Sequence, residues 1–192
     1  MRADVLSRHR VPTHLLTVAD YYRLGEAGIL GRDERVELLE GQLVDMSPIG
    51  PRHALAVDAL NDELRLALRG QAAVRIQNPI TLDDRSEPQP DAAVVRRPWH
   101  GYPDKHPGPQ DVLLVVEVAD SSLEVDQGAK LELYARAGIP EFWIVDLTTN
   151  QVHVHRDPGE VGYAEVIRVE PSGTLSIKAF PGVSFAATPL FA

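Results

Sequence analysis

The chain has 192 residues, 44% of them hydrophobic and 24% charged, enough apolar side chain for a buried core and too little charge for a disordered or coiled chain. Lys and Arg number 19 against 28 Asp and Glu, a net charge of -9, which argues against sequence-independent nucleic-acid binding by bulk charge and leaves only a local basic patch for that purpose. Cysteine is absent, so disulfides, thiol catalysis, zinc–thiolate sites and iron–sulfur clusters are excluded together, and a reducing, cytoplasmic setting is expected.

The opening run Met1-Arg2-Ala3-Asp4-Val5-Leu6-Ser7-Arg8-His9-Arg10 is polar and basic, without the apolar stretch of a secretion signal. The longest unbroken run of Val, Leu, Ile or Phe is Val112 to Val116, so no membrane span is expected. Residues 1–16 read as an N-terminal arm and residues 17–192 as a single domain. Thr17 caps a helix through Val18, Tyr21, Tyr22 and Leu24, ended by Gly25 or Gly28. Residues Arg35 to Ser47 form a hairpin turning near Gly41. From His53 to Arg69, Leu55, Ala59, Leu60, Leu64 and Leu68 recur at helical spacing, with Gly70 as the stop.

Short β-rich runs follow at Ala73–Gln77, Ile80–Leu82, Ala92–Val95 and Val112–Val118, the last two separated by a Pro-, Gly- and His-rich loop from Arg97 to Gln110. Ser121 and Ser122 offer a cap for a helix to Ala137, and Glu141–Asp146 is a second continuous apolar strand. Gln151–His155, Gly162–Val169 and Leu175–Ala179 alternate as hairpin strands, with turns such as Asp157-Pro158-Gly159. The expected fold is α/β: a sheet with helices on both faces and extra C-terminal hairpins.

Two carboxylates stand where carboxylates are costly. Glu117 interrupts Val112-Leu113-Leu114-Val115-Val116, a run that reads as a strand buried on both faces, where an uncompensated charge costs several kcal/mol. Asp91 opens another apolar strand directly after Pro90. Brought together on neighbouring strand ends, the two repel unless a divalent cation lies between them, and hard oxygen ligands select Mg²⁺ or Mn²⁺. A plainer arrangement uses the same residues: Asp91 ending a strand in solvent, and Glu117 paired with an arginine such as Arg96. Lys130, on the helix after the Glu117 strand, can reach back toward that carboxylate; a surface pair with Asp126 at i,i+4 is the alternative.

Pro90-Asp91, Glu117-Val118 with Ser121-Ser122, Asp126-Gln127-Gly128-Ala129-Lys130, Tyr134 and Gly138 to Asp146 together resemble the Uma-type putative restriction endonucleases of the PD-(D/E)XK nuclease superfamily. Val36 to Val44, Met46-Ser47-Pro48 and His53 match the same pattern, so the resemblance runs from about Thr17 to Val154. It implies a restriction-endonuclease-like fold, a central mixed sheet flanked by helices. Asp91 and Glu117 would be metal ligands, the Val118 carbonyl would complete the site, and Lys130 would be the catalytic lysine. Glu37 would supply a further acid, with His53 and Tyr134 as accessory residues.

The superfamily pattern puts lysine two residues after the glutamate, where this chain has Ala119; a lysine displaced to the next helix, Lys130, matches the family's remedy. The implied activity is Mg²⁺- or Mn²⁺-dependent hydrolysis of phosphodiesters in nucleic acid, DNA before RNA, with a homodimer as the candidate assembly. The alternative is a nuclease-fold binding or assembly module that no longer cuts. The loop from Arg97 to Gln110, with Arg96, Arg97 and Lys105, is the expected phosphate-contacting edge, while His153 and His155 read as surface histidines.

Overall fold

The structure is a computed structural model describing residues 12–31, 33–97, 102–120 and 126–192. Most of the expected N-terminal arm and the Ser121-Ser122 cap lie outside the described residues. Helix α1 (Val18–Glu26) begins on a capping box in which Thr17 and Asp20 satisfy each other's backbone N–H groups. Strands β1 (Val36–Leu39) and β2 (Gln42–Asp45) form an antiparallel hairpin with Leu39 opposite Gln42. Glu40 and Gly41 turn it with φ of 50° and 77°, the left-handed pair that a two-residue hairpin loop needs. Gly41 also has no room for a side chain: a Cβ there would lie 2.7 Å from Leu15 Cβ.

Helix α2 spans Pro51–Leu68 and buries Ala56, Val57, Leu60, Leu64 and Leu68. Leu55, expected on that face, is 61% exposed; at about 100° per residue it points some 160° away from Val57. The main sheet has six strands in the order β3-β4-β5-β6-β7-β8. They are β3 (Ala73–Ile76), β4 (Ala92–Val95), β5 (Val112–Ala119), β6 (Glu141–Asp146), β7 (Gln151–Gly159) and β8 (Gly162–Val169). Only β5 and β6 run parallel, across the crossover that contains a π-helical turn (Asp126–Lys130) and α3 (Leu131–Arg136). The paired strands β9 (Thr174–Ser176) and β10 (Ser184–Ala186) then pack beside α2 with the turn Thr188–Phe191.

Residues 80–82 are not a strand. Pro79, Pro88 and Pro90 supply no N–H to a ladder, and the segment instead makes the isolated bonds Ile80 N–H to Pro88 O and Leu82 N–H to Ser86 O around a tight turn. The hairpin between β7 and β8 turns at Glu160-Val161, with Gly159 opposite Gly162, so Asp157-Pro158-Gly159 belongs to the strand.

Strand alternation divides the interior in two. Leu114, Val116 and Val118 of β5 face α2 together with Trp143 and Val145, whereas Val115 and Ala119 face α3 together with Ala93, Tyr134, Phe142 and Ile144. The sheet is therefore covered on both sides, as its continuous apolar strands require. Among the described residues no helix is long and apolar enough to cross a membrane.

His155 corrects the expectation of two surface histidines. It is 6% exposed, stacked on Phe142 with ring centroids 5.8 Å apart, and its Nε2 has no hydrogen-bond partner. Burial, with a smaller contribution from His153, pushes its pKa down to about 4. The unfolded chain therefore takes up this proton near the ordinary value of 6.5 and the folded chain only near 4. Stability is complete above the upper limit and falls as pH drops through the interval. Urea unfolding at pH 7 and 4.5 should show a loss to which His155 contributes roughly 2 kcal/mol, and His155→Leu should remove that share; an unchanged pH dependence in the variant would refute the assignment.

Candidate active site

The same alternation builds the site. Ala92 lies opposite Val116, so the register carried one step further sets Asp91 beside Glu117, both on the α3 side of the sheet. Asp91 is 8% exposed and Glu117 3%. Continuation of the β3–β4 ladder brings Gln77 to Asp91: its backbone N–H donates to the Asp91 carbonyl at 3.0 Å and its amide to Oδ1 at 3.3 Å. The Val118 N–H donates to Asp91 Oδ2 at 2.8 Å. Because N–H and C=O of one strand residue point to the same side, the Val118 carbonyl also turns toward β4 and Asp91.

His53, in the first turn of α2, brings Nε2 to 2.9 Å from Asp91 Oδ1. This bond to a carboxylate holds the imidazole pKa above its ordinary value against the opposing effect of burial.

Glu117 is compensated from the crossover. Lys130 Nζ donates to Glu117 Oε1 at 3.0 Å and the Tyr134 hydroxyl donates to the same oxygen at 2.8 Å. Residues four apart share a helical face, so the turn from Lys130 into α3 presents both groups to one carboxylate. The Lys130 ammonium also lies 3.1 Å from Glu37 Oε1, and the Gln89 N–H donates to Glu37 Oε2 at 3.1 Å.

Glu37 arrives there because its hairpin is docked onto the 80s segment. Glu87 N–H donates to Leu38 O at 2.8 Å and Gly41 N–H to Arg85 O at 2.7 Å. The buried Glu87 carboxylate accepts from Tyr22 and Thr81, each at 2.6 Å. Asp91, Glu117, Val118, Lys130, Glu37 and His53 line one cavity of about 190 Å³, roughly the volume of six waters.

All seven residues singled out in the sequence are thus brought together, Tyr134 from beneath through Glu117. The plainer arrangement of the two acids does not hold: Asp91 is buried and Arg96 bonds the Gln110 carbonyl. Lys130 meets two buried carboxylates. None of the described residues of the Arg97–Gln110 loop lines this cavity. Arg96 and Arg97 follow β4 at the end away from Asp91, about 17 Å along an extended chain, and residues 98–101 lie outside the described residues. Sequence reading missed Gln77, Gln89 and Arg35, which also lines the cavity; for Gln77 the signal was its place one step beyond an alternating strand.

The donor set has the chemistry of a hard-cation site: two carboxylates side by side and a strand carbonyl, with no sulfur. Among the described residues no three His, Asp or Glu side chains gather as a complete cage. Two carboxylates and a carbonyl are the kind of donors that an ion such as Mg²⁺ takes, since it keeps several waters and needs only one or two protein carboxylates.

A mixed sheet flanked by helices, with paired acids and an ammonium at the end of its central strands, defines a restriction-endonuclease-like α/β domain. The sequence matches the Uma2 family, described as "Putative restriction endonuclease", over residues 18–188, and the chain belongs to that family. It is similar in fold to the crystal structure of a putative nuclease belonging to DUF820 from Anabaena variabilis, with a TM-score of 0.69 and 16% identity, covering 92% of this chain and 97% of that one. No curated protein matches the sequence.

Replacing Lys130 with Met would leave Glu37 and Glu117 facing each other in a buried site. The expected loss is about 3 kcal/mol of unfolding free energy, part of it recovered in the double variant Glu37→Gln/Lys130→Met. Denaturant titration checks this, and equal stability of Lys130→Met and parent would contradict the role given to the ammonium.

Proposed function

We propose that the protein is a metal-dependent nuclease that hydrolyses phosphodiester bonds in nucleic acid, with DNA as its substrate. In this reading Asp91, Glu117 and the Val118 carbonyl hold Mg²⁺ or Mn²⁺, and Lys130 is the catalytic lysine. The observation that carries the reading is the convergence of Asp91, Glu117 and Lys130 on one small cavity at the sheet end. Membership in the restriction-endonuclease family supports it as well.

The bound ion would polarise the scissile phosphate and lower the pKa of a coordinated water. The protein groups prepare for this in three ways. His53, Gln77 and the Val118 N–H fix both oxygens of Asp91, so the carboxylate meets its ligand already oriented. Tyr134 and Lys130 fix Glu117 through Oε1. Glu37 holds the largely buried ammonium of Lys130 beside Glu117, where a positive charge would stabilise negative charge developing on a phosphate. Ala119 is fully buried among Ile144, Phe142 and Val115, and the ammonium enters from the π-helical turn that precedes α3 and not from the strand.

Supercoiled plasmid incubated with the protein and Mg²⁺ or Mn²⁺ should be nicked, and a chelator should stop the reaction. Asp91→Asn and Glu117→Gln should each slow cleavage by about 100-fold or more while thermal unfolding stays cooperative. Cleavage by Asp91→Asn at the parental rate would overturn the reading. Tight nucleic-acid binding by the parent with no cleavage in either metal would favour the non-cutting module instead.

A further inference from the structure

The cavity lacks one thing that a phosphodiester needs. Glu37, Asp45, Asp91, Glu117 and Asp120 all line it, and a polyanion entering among five carboxylates meets repulsion that the resident cations do little to offset. Lys130 is held between Glu37 and Glu117, and His53 is held by Asp91.

Arg35 is different. It lines the same cavity, yet among the described residues its guanidinium makes no ion pair with a carboxylate; its hydrogen bond runs from Nη1 to the Ser47 carbonyl at 3.2 Å. The backbone fixes its place, since the Met46 N–H donates to the Arg35 carbonyl at 2.9 Å and extends the β1–β2 ladder by one pair. The side chain thus stands at the open end of the hairpin, tethered through a neutral acceptor, with its full charge and several donors still to be used. It also lies close enough to His53 to weigh against protonation of that ring.

We infer that Arg35 is a substrate-binding residue of this site, its guanidinium taking the non-bridging oxygens of a nucleic-acid backbone phosphate at the cavity mouth. The inference rests on the nuclease reading and names the group that brings the polyanion to the acids. Arginine suits the task, since its planar fork matches two phosphate oxygens. It also reconciles a net charge of -9 with a polyanionic substrate, because the contact is local. The phosphate-contacting side of the domain then lies on the hairpin, at the opposite end of the sheet from Arg96 and Arg97.

The test uses the full chain and a short fluorescently labelled DNA duplex, with binding followed by anisotropy in Ca²⁺ across a range of salt and cleavage followed in Mg²⁺. Arg35→Gln should weaken binding about tenfold and lower the salt slope by about 1, raising KM far more than it lowers kcat. Arg35→Lys, which keeps the charge and loses the fork, should fall between. Arg97→Gln removes the same unit of charge at the far end and should match the parent in both assays.

If Arg35→Gln binds and cuts like the parent, the inference fails while the nuclease reading stands; the same holds if Arg97→Gln carries the loss in its place. If the parent itself neither binds nor cuts DNA, the nuclease reading fails and the inference with it.

Discussion

The structure turns on the compensation of a buried carboxylate. Glu117 occupies a strand whose neighbours on both faces are apolar, and in such a place an ionised acid persists only with partners supplied from elsewhere. Those partners come from the crossover, Lys130 from the π-helical turn and Tyr134 from α3, while the outlying hairpin brings a second carboxylate, Glu37, onto the same ammonium. Each of these elements must be seated correctly for the charges to close. The polar centre therefore constrains how the crossover and the hairpin dock on the sheet, as well as the chemistry at its end.

Register does the rest. One ladder, with Ala92 opposite Val116, decides that the two acids sit side by side; a slip of β4 by one residue would turn Asp91 to the α2 face and leave Glu117 without it. Gln77 extends the neighbouring ladder by the same rule. A pair of acids at the end of a sheet is thus a property of strand pairing, established before any side chain chooses a rotamer.

Much of this was legible in the sequence. The unbroken apolar runs of β5 and β6 announced a sheet covered on both sides, and a glutamate inside such a run announced a site. Thr17, Gly41 and Gly70 marked ends and turns by their backbone preferences. The failures have physical causes as well. Ile80–Leu82 has strand composition, but its prolines deny it a ladder. Leu55 fits a helical count and still falls on the outer face. His155 looks like one of two polar residues on an alternating strand, and only the packing of Phe142 and Tyr163 around it shows that it is interior. Arg35 had no local signature, because its meaning depends on which side chains surround it and on how many of them are acids.

The β1–β2 hairpin belongs to neither strand of the six-stranded sheet, and is joined to the body through the 80s segment and a close fit of Gly41 against Leu15 and Leu16. It nevertheless delivers Glu37 and Arg35. One small appendage thus bears on the cavity from outside the ladder, and a change in how it seats would alter the lining at Glu37 and Arg35 while leaving every strand pair of the six-stranded sheet in place.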